Sequence, residues 1–287
     1  MRVTVWGCRG SVASPGPETV TYGGNTSCVE VALDDHVALV FDAGTGIRAL
    51  GFDLQRRNVR HVHLCLTHLH LDHLEGLRFF APLWDDGVTL DIWGPPSQLL
   101  SLRQRIARYF SPPLFPIELR DVPARLSFHD VKQDAWPIGE AEIGADLVLH
   151  PGPTVGYRVE LGGTSLAYLP DHEPALAGML RERSPDWISG SALATDVDLV
   201  VHDAQYFEDE YPHYVGWGHS SVADAVAFAS AAGARQLLLF HHEPRHSDHA
   251  LERLEDRARE LAAEDELAPP ILAREGMVVE LPSRVRA

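Results

Sequence analysis

Thr67-His68-Leu69-His70-Leu71-Asp72-His73 is the densest group of potential metal ligands in the sequence. It holds three histidines and one aspartate within six residues, too many for all of them to be polar side chains satisfied inside a core. Imidazole suits zinc, iron and similar metals, and a neighbouring carboxylate suits a second, harder coordination position. The segment therefore predicts a metal site rather than the alternative, a polar surface loop.

The local pattern around this segment indicates two metal ions side by side. An apolar strand pattern comes before it, and a helical pattern follows over 72–83, with apolar residues at three- and four-residue intervals. His68 and His70 alternate, so their side chains face one way in an extended loop. The incoming helix can turn Asp72 and His73 toward a neighbouring ion.

Strand and helix patterns alternate along the rest of the chain. Helices are predicted at 47–55, 97–109, 223–232 and 250–264. Strands are predicted at 3–6, 27–32, 37–41, 61–66, 89–93, 142–150, 156–161, 165–169, 198–202 and 236–240. The prolines of 110–116 predict a loop, which could serve as a lid. Two runs of strands, each followed by helices, suit two sheets sandwiched between helices.

Composition and charge narrow the class of protein. The 287 residues are 45% hydrophobic and 23% charged, as in ordinary folded proteins, and this length is compatible with one domain. With 24 Lys and Arg against 41 Asp and Glu, the net charge is −17, which disfavours long nucleic acid as a partner. No secretory signal pattern and no run of about 18 apolar residues is found. We expect a cytoplasmic location and no membrane partner.

Two further features are assigned to structure rather than to chemistry. Cys8, Cys28 and Cys65 are odd in number and widely separated, so we expect buried free thiols and no disulfide framework. The glycine-rich links at 23–25 and 44–46 lack the spacing of a dinucleotide or phosphate-binding loop. We interpret both links as turns.

The pattern His-x-His-x-Asp-His after an apolar strand resembles the signature of the metallo-β-lactamase superfamily. The segments 7–11, 23–28 and 41–44 look like the N-terminal motifs of its phosphodiesterase branch. That branch includes tRNA 3′-processing endonucleases and phosphoribosyl cyclic phosphodiesterases. The resemblance covers nearly the whole chain. It implies an α/β fold, the αββα sandwich of two mixed sheets flanked by helices, as one hydrolase domain over residues 1–287.

The resemblance implies three further metal ligands. His150 lies six residues before Gly156-Tyr157, as in the third metal motif of the branch. Asp171 matches the bridging aspartate, whose two oxygens can face two ions, although its neighbours differ from the usual Gly-Asp. His241 directly follows the strand predicted at 236–240 and is preferred to His242 as the last metal ligand. The implied centre has one site of His68, His70 and His150, a second of Asp72, His73 and His241, and Asp171 with a water or hydroxide bridging them.

The resemblance also implies the catalytic residues. His219 is expected to open a helix, and His219-Ser220-Ser221 resembles the His-Ser-Thr motif that supplies the general acid. The alternative is a capping or surface histidine at a helix start. Asp203 is expected to orient His219, and Asp72 is counted as catalytic as well as a ligand. A metal-bound hydroxide would be the nucleophile. The residues His246 and Asp248 could contact phosphate or simply be surface residues, and Tyr157, Tyr214 and Trp217 could shape the pocket or serve in packing.

Several functions are compatible with such a centre. We favour hydrolysis of a small cyclic phosphodiester, such as a cyclic nucleotide or a cyclic sugar phosphate. Two divalent ions would support the reaction, with zinc or manganese preferred and iron as the alternative. The alternatives are tRNA 3′ processing, thioester or lactam hydrolysis, and a ligand-binding role without catalysis. The family resemblance alone suggests a homodimer.

Overall fold

The computed structural model describes residues 1–174, 176, 180 and 187–282. In these residues the strands form two sheets of seven. The first sheet has the order β14-β1-β2-β3-β4-β5-β6, made of Val278–Glu280, Arg2–Gly7, Cys28–Ala32, Val37–Phe41, His61–Cys65, Thr89–Gly94 and Arg125–Asp130. The second has the order β13-β12-β11-β10-β9-β8-β7, made of Ile271–Leu272, Leu237–Phe240, Leu199–Asp203, Thr164–Leu169, Val155–Leu161, Ala141–Leu147 and Asp134–Ile138.

Each sheet is mixed. Strands β14 to β3 pair antiparallel and β3 to β6 pair parallel. In the second sheet β7 to β10 pair antiparallel and β10 to β13 pair parallel. The predicted pair of mixed sheets is confirmed.

Three apolar clusters hold the layers together. Side chains of both sheets meet in one cluster, where Phe41 lies between Tyr157 and Tyr168 with ring centroids 5.5 and 5.0 Å away. A second cluster lies between the first sheet and α1, Ile47–Arg56, and α2, Leu102–Ala107. The third joins the second sheet to α3, Ser191–Ala194, α4, Val222–Ala231, and α5, Asp248–Glu264. The layers follow the predicted order of helix, sheet, sheet, helix.

The predicted helix over 72–83 is wrong. Three short 3₁₀ segments, Leu71–His73, Glu75–Phe79 and Ala81–Trp84, replace it. The carbonyl of His73 accepts from Ala43 N at 2.8 Å, and Gly76 N donates to the Ala43 carbonyl at 2.9 Å. These bonds to a distant turn take the backbone groups that a continuous α-helix would use.

Other boundaries also differ from prediction. The helix expected over 97–109 is shorter in the structure. It is α2, which begins at Leu102 because Ser101 and Gln104 form a capping box, and which ends at Ala107. The strand expected at 142–150 ends at Leu147, which leaves His150 in a loop. Strands β6, β7, β13 and β14 were not predicted. The segment 110–116 is a loop, as predicted.

The three cysteines are buried free thiols, as predicted. Burial raises the pKa of Cys28 and Cys65, which keeps both thiols protonated. Among the described residues, no helix is long and apolar enough to cross a membrane.

Candidate metal centre

The predicted ligands lie along one edge of the two sheets. His68, His70, Asp72 and His73 follow β4 of the first sheet, whereas His150, Asp171 and His241 follow β8, β10 and β12 of the second. Most of these strands belong to the parallel parts of the sheets, whose carboxyl ends meet at this edge. The structure therefore brings all seven side chains to one place.

Three histidines form the first group. One ring nitrogen each of His68, His70 and His150 lies within 4.8 Å of the others. His150 Nε2 is 3.3 Å from His70 Nδ1. His68 and His150 are buried, and His70 reaches the surface. The group is compact enough for its three nitrogens to face a single ion.

Two carboxylates and two histidines form the second group. His241 Nε2 lies 3.2 Å from Asp72 Oδ2 and 3.3 Å from Asp171 Oδ2. His73 Nε2 lies 2.9 Å from Asp171 Oδ1. Asp171 Oδ2 is also 3.8 Å from Nε2 of both His68 and His150. Asp171 thus lies between the two groups, in the position that a bridging carboxylate requires.

The structure distinguishes His241 from its neighbour. His241 has a φ of 59°, in the left-handed region, and its ring faces the second group. His242 Nε2 instead bonds the Ala273 carbonyl at 2.7 Å. The geometry therefore agrees with the preference for His241.

The donor atoms of these groups fit divalent ions. The buried atoms His68 Nε2, His73 Nε2 and Asp171 Oδ1 have no hydrogen bond of good geometry. Such atoms are rare in native proteins unless an ion or another partner satisfies them. Burial and the neighbouring His73 lower the pKa of His68, so its ring is neutral and its lone pair is available to a metal.

Asp42 orients His73 from outside the cluster. Its Oδ2 lies 2.8 Å from His73 Nδ1, which leaves Nε2 directed at the metal centre. Tyr168 Oη donates to the same carboxylate at 3.0 Å, and Thr67 N donates at 2.8 Å. The sequence marked Asp42 only as part of a motif and gave it no role.

Glu173 organises the loop beside His150. It is buried, and its carboxylate accepts from Tyr211 Oη at 2.8 Å and Gly218 N at 2.8 Å. The Gly218 carbonyl lies 2.8 Å from His150 Nδ1, so His150 directs Nε2 toward the centre. Gly218 has a φ of 88°, and a Cβ there would lie 2.4 Å from His150 Nδ1. Sequence analysis gave no role to Glu173.

His219 and Asp203 form a buried pair at the rim of the centre. His219 Nδ1 lies 2.7 Å from Asp203 Oδ2. Burial alone would lower the pKa of His219, but the charge and hydrogen bond of Asp203 outweigh it and raise the pKa to about 9. The expectation that His219 opens a helix is wrong, because Ser221 caps α4. That cap also removes the alternative of a capping histidine.

A cavity of about 440 Å³ opens over the metal centre. Its walls include Ser11, Leu69, His70, Leu71, Asp72, Tyr109, Asp171 and His219. A space of this size accommodates a small molecule. Tyr109, which donates to the Leu69 carbonyl at 3.0 Å, was not predicted as a pocket residue.

The remaining candidates lie outside the metal centre. His246 Nε2 faces Glu210 at 3.0 Å, and Asp248 accepts from Thr21 N at 2.8 Å, so neither contacts the cluster. Tyr157 is buried between the sheets and donates to Leu66, which makes it a packing residue.

The two aromatic candidates near the rim have other surroundings. Tyr214 stacks on Tyr206 with centroids 4.5 Å apart. Trp217 is 62% exposed and meets Tyr214 edge-on. Both belong to the loop that Glu173 organises, and their role in shaping the pocket stays a prediction.

Known proteins resemble this chain in sequence and in fold. A family model described as a beta-lactamase superfamily domain matches residues 38–242. A ribonuclease Z of Haloarcula marismortui is 30% identical, with 96% of this chain and 96% of that protein covered. The human tRNase Z short form has a TM-score of 0.65 at 22% identity, over 98% of this chain and 100% of that chain. A diphosphatase from the PhnP family has a TM-score of 0.67 at 18% identity, over 98% of both chains.

The chain belongs to the metallo-β-lactamase superfamily. Within it, the chain falls in the group of phosphodiesterases and ribonucleases Z. The predicted family, fold and enzyme class, a metal-dependent hydrolase, are confirmed.

Proposed function

We propose that this protein is a dinuclear metal-dependent phosphodiesterase that hydrolyses a small, cyclic phosphodiester. The observation that carries the proposal is the seven-residue cluster, with the His219–Asp203 pair at its rim, under a cavity of small-molecule size. His68, His70 and His150 would hold one ion, and Asp72, His73 and His241 would hold a second, with Asp171 between the two groups.

The donor set suits zinc or manganese, and it would also accept iron. Two divalent ions bound there would activate water and neutralise phosphoryl oxygens. Asp72 Oδ2 accepts a hydrogen bond from Ser11 N at 2.8 Å, which fixes the carboxylate in the wall of the cavity. Its proposed catalytic role is to hold the second ion in this wall, beside the substrate.

His219 is proposed to give a proton to the leaving oxygen. Asp203 occupies Nδ1, so Nε2 is the nitrogen that remains for the substrate. Ser220 N also donates to Asp203, at 3.1 Å, which fixes the carboxylate that orients the ring. A thioester hydrolase on the same fold has less need of this pair, because a thiolate leaves without a proton.

The charge of the chain favours a small substrate. A net charge of −17 opposes the approach of a polyanion, whereas a single phosphodiester can be neutralised at the centre. The second candidate is tRNA 3′ processing, which the likeness to ribonuclease Z over 96% of the chain favours. A ligand-binding role without catalysis is the remaining alternative.

A substrate panel tests the proposal. Metal-loaded protein is incubated with cyclic mononucleotides, a precursor tRNA with a 3′ extension, a thioester and a lactam, with His68→Ala as the inactive control. We expect turnover of a cyclic phosphodiester that His68→Ala lacks. Cleavage of the precursor tRNA without cyclic turnover would replace this function by the second candidate, and binding without turnover of any substrate would favour the non-catalytic role.

Two further proposals concern assembly. One apolar cluster contains side chains of both sheets, which supports a single domain over 1–287. A homodimer rests on family resemblance, and light scattering of the purified protein tests it.

A further inference from the structure

A second group of histidines lies on the first sheet, apart from the metal centre. His61 and His63 are two residues apart on β4, so their side chains project from the same face. The parallel register sets Asp91 of β5 opposite His63. One nitrogen of each ring and one Asp91 oxygen lie within 4.8 Å of one another. Two imidazoles and a carboxylate thus share one small volume.

Asp91 is held as a carboxylate between two histidines. Its Oδ2 lies 2.7 Å from His61 Nε2, and its Oδ1 lies 2.8 Å from His129 Nε2 of β6. Burial opposes ionisation, but these hydrogen bonds keep the pKa of Asp91 below its usual value. The side chains of His61 and His129 are 40% and 36% exposed, so an ion can reach the group from solvent.

His63 supplies a nitrogen without a partner. Its Nδ1 is buried and makes no hydrogen bond, and its ring lies 4.3 Å from that of His61. Burial, with the nearby His61, lowers the pKa of His63 to about 4, so the ring is neutral at physiological pH. A neutral imidazole is the form that binds metal.

We propose that His61, His63 and Asp91 form a separate site for a zinc-like divalent ion. Zinc binds imidazole nitrogen and carboxylate oxygen at about 2.0–2.2 Å, so small side-chain rotations bring all three donors within reach of one ion. The ion takes the place of the proton shared by His61 and Asp91. His129 stays on the second carboxylate oxygen and holds Asp91 in orientation.

The location defines what this ion can do. His61, His63 and Asp91 lie within β4 and β5, whereas the ligands of the metal centre follow the ends of their strands. An ion held by these three residues therefore shares no ligand with the metal centre. It would fasten β4 to β5, next to Trp93, which stacks on His129 and on Trp136 of the second sheet with centroids 3.9 and 4.7 Å away. The site is structural, and it does not rest on the proposed function.

A zinc count tests the site. Untagged protein is stripped with a chelator, equilibrated with excess zinc, freed of unbound metal and measured for zinc per chain. We expect His61→Asn and His63→Asn each to hold one zinc fewer than wild type, whereas His249→Asn, which removes an 80% exposed histidine, holds as much as wild type. Hydrolysis of a chromogenic phosphodiester should stay within about twofold of wild type. Equal zinc content in all four proteins would overturn the proposal.

A second measurement needs only the wild-type chain, so poor folding of a variant does not affect it. Stripped protein labelled with ¹⁵N is titrated with zinc while the imidazole nitrogens are followed by NMR. We expect the resonances of His61 and His63 to change once the metal centre is filled. If both histidines keep their metal-free resonances in the presence of saturating zinc, the site does not exist.

Discussion

Asp171 is the residue at which the two halves of the metal centre meet. Its Oδ1 lies 2.9 Å from His73 Nε2, and its Oδ2 lies 3.3 Å from His241 Nε2 and 3.8 Å from His68 Nε2. The two oxygens can serve both halves because Asp42, and not Asp171, takes the Nδ1 side of His73. The Asp42 carboxylate therefore determines that His73 presents Nε2 to the metal centre.

His219→Asn should lower turnover in a way that depends on the leaving group. General acids contribute about 10²–10⁴-fold, so we expect a loss of at least 100-fold for an alkoxide leaving group. The loss should be much smaller for p-nitrophenolate, which leaves without a proton. Asp203→Asn should show the same dependence to a lesser degree. Steady-state kinetics on a series of leaving groups measures it.

Metal content and folding provide the control for that prediction. His219→Asn should retain the wild-type metal content, and His249→Asn should behave as wild type throughout. A loss of turnover that is equal for all leaving groups would contradict a general-acid role and leave His219 a structural part of the rim.

Sequence spacing identified the side chains that face the centre, but not the residues that orient them. The group from His68 to His73 is dense enough to be recognised by itself, and His150, Asp171 and His241 match family motifs at strand ends. Glu173 contacts Gly218, and Gly218 in turn contacts His150. Such an indirect contact produces no motif of fixed spacing in the sequence. The sequence around a single acidic residue in a loop does not show whether its side chain is buried, as that of Glu173 is, or exposed to solvent.

At the scale of elements, Glu173 links the end of β10 to the loop 211–218. Glu173→Gln replaces one acceptor oxygen by a donor that faces the N–H groups of the loop. We expect affinity for metal to fall about 10- to 100-fold, as for other residues that orient ligands. Competition with a chromogenic chelator measures it. Glu208→Gln, which changes a partly exposed ion pair with Arg257, should keep wild-type affinity, and an equal loss in both variants would refute the positional role.

Element boundaries depended on contacts that no local pattern contains. The segment 72–83 has helical spacing, yet its backbone bonds to Ala43 across the fold and breaks it into 3₁₀ turns. Strands β6 and β7 lie at one end of each sheet and are half exposed, so their apolar alternation is weak. The strongly periodic helices, α1, α4 and α5, were predicted to within two residues.

The contact between the sheets should dominate stability. Phe41 is fully buried between Tyr157 and Tyr168, so Phe41→Ala should lower the free energy of unfolding by about 3–5 kcal/mol. Phe52→Ala, at a 45% exposed position on α1, should cost less than about 1 kcal/mol. Urea unfolding of chelator-treated protein measures both without a contribution from bound metal. Similar losses in the two variants would contradict this assignment of the core.

At the scale of the whole molecule, the metal centre depends on both sheets. The first sheet supplies His68, His70, Asp72 and His73, and the second supplies the other three. The two sheets must therefore pack against each other correctly before all seven ligands can surround the metal site. This division explains why the packing of the sheets and the chemistry of the centre are tied together.

The most direct measurement is hydrolysis of bis(p-nitrophenyl) phosphate by metal-loaded wild type and by Asp171→Asn prepared in parallel. The proposed dinuclear centre predicts turnover by wild type and a loss of at least 100-fold in Asp171→Asn, because a carboxamide cannot bridge two cations as a carboxylate does. Equal turnover by the two proteins, or none by a wild type that holds both ions, would contradict the proposed phosphodiesterase centre.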